Sequence, residues 1–330
     1  MGYTRREFTK LTLAAAPAIG LIKTPFPGSW LGQGRPQSLI NGVQIGAITY
    51  SYRSMPDQSA EATLQYIVDS GVSAIELMGD PAENFAGRPS AGRGGGRGAR
   101  GAQRTPEQVA EQRAAQQAAA AELKAWRTSV SMDRFKALRK LYNDAGVSIY
   151  AVKFLNPTMS DEEFEYVFNV AEALGCTHTT LELPTDEAQL TRVGNFAMKR
   201  KIYAAYHTHL QGSMTAFDRA FARSPGNMAN VDLGHYVAAG NVGGTTLQFL
   251  EKHHARVSSV HIKDRRSKDS GADNVPWGTG DTPIREILQT MKKNAWRFPA
   301  TVELEYRIPE DSDAVRETKK CVQYCAEALV

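Results

Sequence analysis

The chain has 330 residues, 42% of them apolar, which suffices for one large core and leaves room beyond a single barrel of roughly 250 residues. The formal net charge is only +4, and much of the basic excess sits at the N-terminus and within 88–104, so the near-balanced remainder excludes a nucleic-acid-binding body. Three cysteines, Cys176, Cys321 and Cys325, are too few and odd in number for a disulfide framework; the last two, one helical turn apart, read as packing residues.

The chain opens Thr4-Arg5-Arg6-Glu7-Phe8-Thr9-Lys10, followed by an apolar run from Leu11 to Ile22. The pattern S/T-R-R-x-F-x-K resembles a twin-arginine export signal. That resemblance implies the twin-arginine export machinery as a partner, passage of a folded protein and a periplasmic location. The apolar run is short for a permanent anchor and no other segment is longer, so no stable membrane span is expected. Residues 1–35 are assigned to signal and linker, and 43–330 to the folded domain.

From residue 43 short apolar strands alternate with amphipathic helices. The strands are expected at Gln44–Thr49, Ala74–Met78, Ser148–Lys153, His178–Leu183, Tyr203–His207, Met228–Asp232, Val257–Ile262 and Ala300–Glu305. Helical stretches between them include Glu61–Ser70, Met132–Ala145, Asp161–Leu174 and Thr246–His254. Strand–helix alternation implies a parallel sheet, and eight such units point to an α/β architecture closed as a (β/α)8 TIM barrel. One connection is abnormally long. After the second strand, residues 87–122 form a low-complexity insertion: a Gly/Arg-rich half expected to be disordered, then an Ala/Gln/Glu-rich half expected to form an exposed helix. Because it follows a strand, it emerges on the face where barrel enzymes build their sites.

Carboxylates and histidines recur at the expected strand ends: Glu182 on the fourth, His207 and His209 on and after the fifth, Asp232 on the sixth, His261 on the seventh, Glu303 and Glu305 on the eighth. Three acids converging in one barrel mouth repel unless a cation lies between them. A mixed nitrogen and oxygen set suits a divalent metal such as Mn2+, Mg2+, Co2+ or Zn2+. His207, one step deeper than His209, reads about equally as a structural histidine. His178, His253 and His254 read as peripheral. Lys153 and Glu76 close strands and either face the pocket or serve structure. Trp277, in a Gly-rich loop, reads as a stacking surface for a sugar ring or as loop packing. No phosphate-binding loop signature stands between a strand and a helix.

The ordered set LELP at 181–184, YHTH at 206–209, DLGH at 232–235, HIKD at 261–264, WGTGD at 277–281 and VELEY at 302–306 resembles the xylose isomerase-like barrel superfamily. That superfamily holds sugar phosphate isomerases/epimerases, ketose 3-epimerases and inosose dehydratases. The resemblance implies metal ligation by Glu182, Asp232, His261 and Glu303, with Glu305 as the alternative ligand on the last strand. It implies proton transfer by Glu182 and Glu303, and substrate contact by His235; His209, Lys263, Trp277, Glu76 and Lys153 are further candidates for substrate contact. The implied activity is a metal-dependent sugar isomerase or epimerase acting on a ketose or keto-sugar through an enediolate. A 3-keto-glycoside lyase or inosose-type dehydratase using the same site, and a non-catalytic sugar-binding barrel, are the alternatives. The superfamily also resembles endonuclease IV, but this chain has no basic groove for DNA. Relatives are often dimers, which implies a homodimer.

Overall fold

The computed structural model describes residues 34–89 and 105–330. The twin-arginine motif with its apolar run, and most of the Gly/Arg-rich half of the insertion, lie outside the described residues.

Eight parallel strands form the centre: β1 (Val43–Ile48), β2 (Ala74–Met78), β3 (Ser148–Lys153), β4 (His178–Glu182), β5 (Tyr203–His207), β6 (Asn227–Asp232), β7 (Val257–Ile262) and β8 (Ala300–Val302). Each pairs with the next in sequence, and β8 pairs back onto β1 with Ala300 opposite Ile45, so the sheet closes into a (β/α)8 barrel. A two-residue strand, Leu39–Ile40, folds back antiparallel on the start of β1. Its turn, Asn41-Gly42, takes φ of 47° and 87°, the left-handed pair that a tight hairpin requires.

The helices are α1 (Ala60–Asp69), α2 (Gly79–Phe85), α3 (Pro106–Ser129), α4 (Asp133–Asp144), α5 (Asp161–Leu174), α6 (Glu187–Arg200), α7 (Asp218–Arg223), α8 (Leu233–Ala238), α9 (Thr246–His253), α10 (Ile284–Lys293) and α11 (Ala314–Leu329). Their boundaries follow from local chemistry. In α5, Ser160 and Glu163 form a reciprocal capping box, and Gly175 at φ 79° ends the helix in the left-handed conformation. In α10, Ile284, Ile287, Leu288 and Met291 make one apolar stripe, and all four are buried. The outward strand residues Ile75, Ala151, Leu181, Tyr206, Val231, Val260 and Val302 pack under such stripes. Each fully buried large aliphatic or aromatic side chain there contributes about 1.5–3 kcal/mol.

The second half of the insertion is the helix α3, which buries no residue along its length. Thr105 and Gln108 cap its start. Its far end is tied down by Arg127, which reaches Glu83 at 2.8 Å and Glu163 at 3.3 Å.

Inside the barrel the chain departs from an apolar core. Glu76, His178, Thr180, His207, Asn230, Asp232, Ser259, His261, Thr301 and Glu303 are all buried. Buried polar groups are as a rule paired, and here most of them pair across the barrel. At the floor, His178 Nε2 meets Ser259 Oγ at 3.1 Å and the Tyr150 phenol meets Thr301 Oγ1 at 2.7 Å. Gly46 has no side chain because a Cβ would fall 2.7 Å from that phenol oxygen. His178, which the sequence places at the periphery, is therefore an interior residue. The inward alternation of His178, Thr180 and Glu182 along β4 was the signal for it.

Candidate functional site

The polar interior opens at the C-terminal ends of the strands, where barrel chemistry is built. Its centre is the His261 ring. Nε2 lies 2.7 Å from Glu76 Oε2, and Nδ1 lies 2.9 Å from Glu303 Oε2. Burial opposes charge on this ring, but the two carboxylates outweigh it and push His261 up to about 10, so the ring is an imidazolium that donates from both nitrogens. Glu76 is fully buried beneath it. Its Oε1 accepts from Thr180 at 2.6 Å and its Oε2 from Asn230 at 3.2 Å. Burial raises the Glu76 carboxyl, yet His261 and the hydrogen bonds hold it at about 2.

Asp232 ends β6 and caps α8, its Oδ1 accepting the His235 amide at 2.7 Å. That cap aims Oδ2 into the centre. Oδ2 makes no directed hydrogen bond and faces Lys263 Nζ at 2.9 Å as an ion pair. Burial pushes Asp232 up to about 6, with the Lys263 charge opposing. Lys263 Nζ also lies 2.7 Å from Glu303 Oε2 and 2.6 Å from Glu305 Oε2. Burial lowers this ammonium, but the three carboxylates outweigh that and raise it above the usual lysine range. Lys263 and His261 in turn overcome burial and hold Glu303 well below the usual carboxylate range.

Nearer the surface, Glu182 Oε1 pairs with Lys153 Nζ at 3.0 Å and its Oε2 lies 3.4 Å from His209 Nδ1. The Glu182 side chain is 53% exposed, so it stands at the mouth and not in the buried centre. His235 accepts at Nδ1 from Arg265, which leaves Nε2 as the donor, 3.9 Å from Glu305. Burial, with the Lys263 and Arg265 charges, drops His235 to about 2, so its ring is neutral.

His207, Asp232, His261 and Glu303 each offer a ligand atom, and these lie within 4.8 Å of one another. Mixed imidazole and carboxylate donors suit divalent cations. Two buried atoms of the set, Asp232 Oδ2 and His207 Nδ1, lack a hydrogen bond. Burial, with the His261 and Lys153 charges, keeps His207 well below its ordinary value and so neutral, as a ligand must be. The residues fit a divalent cation once His261 gives up the Nδ1 proton that it shares with Glu303, its Nε2–H staying on Glu76 to orient the ring.

Of the four ligands expected from sequence, Asp232, His261 and Glu303 converge. Glu182 does not join their cluster, and His207 stands in the fourth corner. Glu305 touches the centre only through Lys263. Glu76, read from sequence as either facing the pocket or serving structure, is fully buried, with its oxygens on His261, Thr180 and Asn230. Trp277 meets Tyr324 of α11 edge-on at 5.9 Å, an arrangement of loop packing. The WGTGD loop is organised by Asp264, whose Oδ2 accepts from the amides of Gly278, Thr279 and Gly280 at 2.8, 3.1 and 2.9 Å. Sequence reasoning missed Asn230, Asp264 and Arg265. Asn230 was legible as the inward neighbour of Asp232 on β6; the other two lie beyond a strand end, where no period guides the eye.

No family model matches the chain, and no curated protein matches it in sequence. Solved structures do match in fold. A sugar phosphate isomerase/epimerase from Parabacteroides distasonis is 17% identical with a TM-score of 0.55, covering 88% of this chain and 96% of that one. A probable 3-DHS dehydratase from Bacillus anthracis is 14% identical with a TM-score of 0.58, covering 85% and 98%. A 3-keto-D-glucoside 4-epimerase from E. coli is 12% identical with a TM-score of 0.55, covering 86% and 100%. The shared element is the barrel. Identities this low carry the fold to this chain and leave the chemistry to be argued from its own residues.

Proposed function

We propose that the chain is a divalent-metal-dependent sugar isomerase or epimerase that moves a proton next to the carbonyl of a ketose or keto-sugar. The observation that carries this reading is the buried donor set below the barrel mouth, with a further carboxylate, Glu182, standing free of it at the mouth beside Lys153. The names of the isomerase/epimerase and 4-epimerase barrels support it by analogy of fold.

Asp232, His261 and Glu303 would hold the metal, with His207 closing the set. A bound divalent cation supplies Lewis acidity that polarises a sugar carbonyl and acidifies the adjacent C–H. Glu182 is the general base: it is reachable from solvent, and Lys153 and His209 fix its two oxygens. Lys153 is kept charged because Glu76, Glu182 and Glu303 outweigh its burial. His235 presents a neutral Nε2–H to a substrate oxygen, its tautomer set by Arg265. Lys263 and Glu305 line the boundary between centre and mouth. Export through the twin-arginine pathway to the periplasm, and a homodimer, belong to the same proposal; the first rests on the Thr4–Lys10 motif.

The test is proton NMR of the metal-loaded protein with ketoses and 3-keto-glycosides in D2O. Deuterium entering next to the carbonyl, with glycosidic bonds intact, is the expected result. Aglycone release with an unsaturated keto-sugar moves the assignment to a lyase or dehydratase, whose intermediate carbanion expels a leaving group instead. Binding with no exchange across the panel leaves a non-catalytic sugar-binding barrel.

A further inference from the structure

The acidic centre already contains a cation of its own. Lys263 Nζ lies within 2.9 Å of Asp232, Glu303 and Glu305, and its side chain is 2% exposed. The chain makes room for it. Gly234, the first turn of α8, would place a Cβ 2.3 Å from Lys263 Cγ and 2.7 Å from the Lys263 carbonyl oxygen. Any side chain at 234 therefore blocks the path by which the lysine stem enters, which gives the glycine of the DLGH run a definite task. The three contacts are not equal. The bond to Glu305 is the shortest and the only one with hydrogen-bond direction, and Glu305 leans toward the mouth with 22% of its side chain exposed. The contacts to Asp232 and Glu303 are ion pairs to two of the atoms that a divalent cation would need.

We propose that Lys263 is the resident counter-ion of this centre, and that a divalent metal binds by displacing its ammonium from Asp232 and Glu303 onto Glu305. The inference rests on the metal-dependent reading above. The single positive charge of the lysine leaves the two carboxylates, the proton between His261 Nδ1 and Glu303 is released to solvent, and a doubly charged ion enters, with no bond to carbon made or broken. Two cations cannot share Asp232 Oδ2 and Glu303 Oε2 at contact distance without strong repulsion, so affinity for the metal is set by how readily the lysine moves. The displaced ammonium, still held by Glu305, arrives at the mouth as a donor for a substrate oxygen.

The experiment is calorimetric titration of MnCl2 into the chelator-stripped full chain and into Lys263→Met, Lys263→Gln and Lys263→Arg, each first checked by thermal melting. The neutral variants are expected to bind Mn2+ at least tenfold more tightly than the natural protein, and the arginine variant no more tightly. Tight binding by the neutral variants alone, with none by the natural protein, also supports the proposal. Equal or weaker binding by both neutral variants, with Mn2+ still bound by the natural protein, overturns the competition and leaves the metal site standing. No Mn2+ binding by any form overturns both. If Lys263→Met does not fold, Lys263→Gln, which retains a hydrogen-bond donor to Glu305, decides the same question.

Discussion

His261 owes its charge and its orientation to Glu76, a residue that no substrate reaches. Replacing Glu76 by Gln keeps the shape and removes the negative charge under the ring. A buried pair broken on one side costs about 3–5 kcal/mol, so urea denaturation of Glu76→Gln is expected to show a loss of that order without a change in m-value. Catalysis in the variant is expected to fall through kcat, because the ring is free to tilt away from Glu303. Unchanged stability would mean that Glu76 is not what holds the imidazolium. His178 makes the opposite kind of prediction. Burial keeps it neutral, lowered to about 4 from the 6.5 of an exposed histidine, with the nearby Glu76 charge opposing. As pH falls below 6.5 the unfolded chain takes up a proton that the folded ring refuses. Stability is therefore lost progressively between about pH 6.5 and 4, by about 3 kcal/mol at the lower end. Melts of His178→Gln across that window are expected to show a shallower acid slope than the natural protein, whatever its stability at pH 8. These two residues also mark the limit of reading side chains from sequence. Asp232, His261 and Glu303 were legible because they recur at strand ends. Glu76 and Lys263 were legible as strand-end charges too, but their depth was not: whether a polar group meets substrate or another side chain depends on partners that lie far away in sequence, as Thr180 and Asn230 do for Glu76.

The elements were more legible than the contacts. Helix Asp161–Leu174 stands where its capping box and glycine stop put it, and the strands Ala74–Met78, Ser148–Lys153 and Val257–Ile262 stand where their apolar runs put them. Short-range chemistry dictates these boundaries: caps, β-branched runs and glycine at positive φ. The eighth strand is shorter than its run suggests, ending at Val302: the Glu303 amide still donates to Ile262 O at 3.1 Å, but at Leu304 the amide turns to Ser51 Oγ at 3.0 Å and the carbonyl accepts from Arg53 at 2.7 Å. The WGTGD loop shows a motif whose glycines answer a structural contact. Asp264 gathers three consecutive amides, and a Cβ on Gly280 would stand 2.2 Å from Asp264 Oδ1. Gly280→Ala must therefore push the carboxylate out of its nest, and a change that strands a buried carboxylate costs about 1–3 kcal/mol. The expected consequence in thermal melting is a lower Tm, with faster amide hydrogen exchange confined to 277–282. Normal exchange there would show that the loop does not depend on Asp264.

At the scale of the whole molecule, the question is whether the barrel needs a metal to fold. Small metal-built domains do, because their ligands have nothing else to neutralise them. Here the interior carries its own cations: His261 answers Glu76 and Glu303, Lys263 answers Asp232, Glu303 and Glu305, and Lys153 answers Glu182. The remaining stability comes from apolar stripes such as Ile284–Met291 against the outside of the strands, which no chelator touches. The metal-free protein is therefore expected to keep its far-UV circular dichroism and a cooperative melt after dialysis against EDTA. Mn2+ added back is expected to raise Tm by mass action, by about 2.7 kcal/mol of stability when the free metal is a hundredfold above its dissociation constant. Unfolding on chelation would instead mean that the ammonium and imidazolium do not balance the acids. The barrel would then be held together by the very ion that the proposed chemistry needs, and Lys263 would have to lie outside the centre in the loaded protein from the moment of folding.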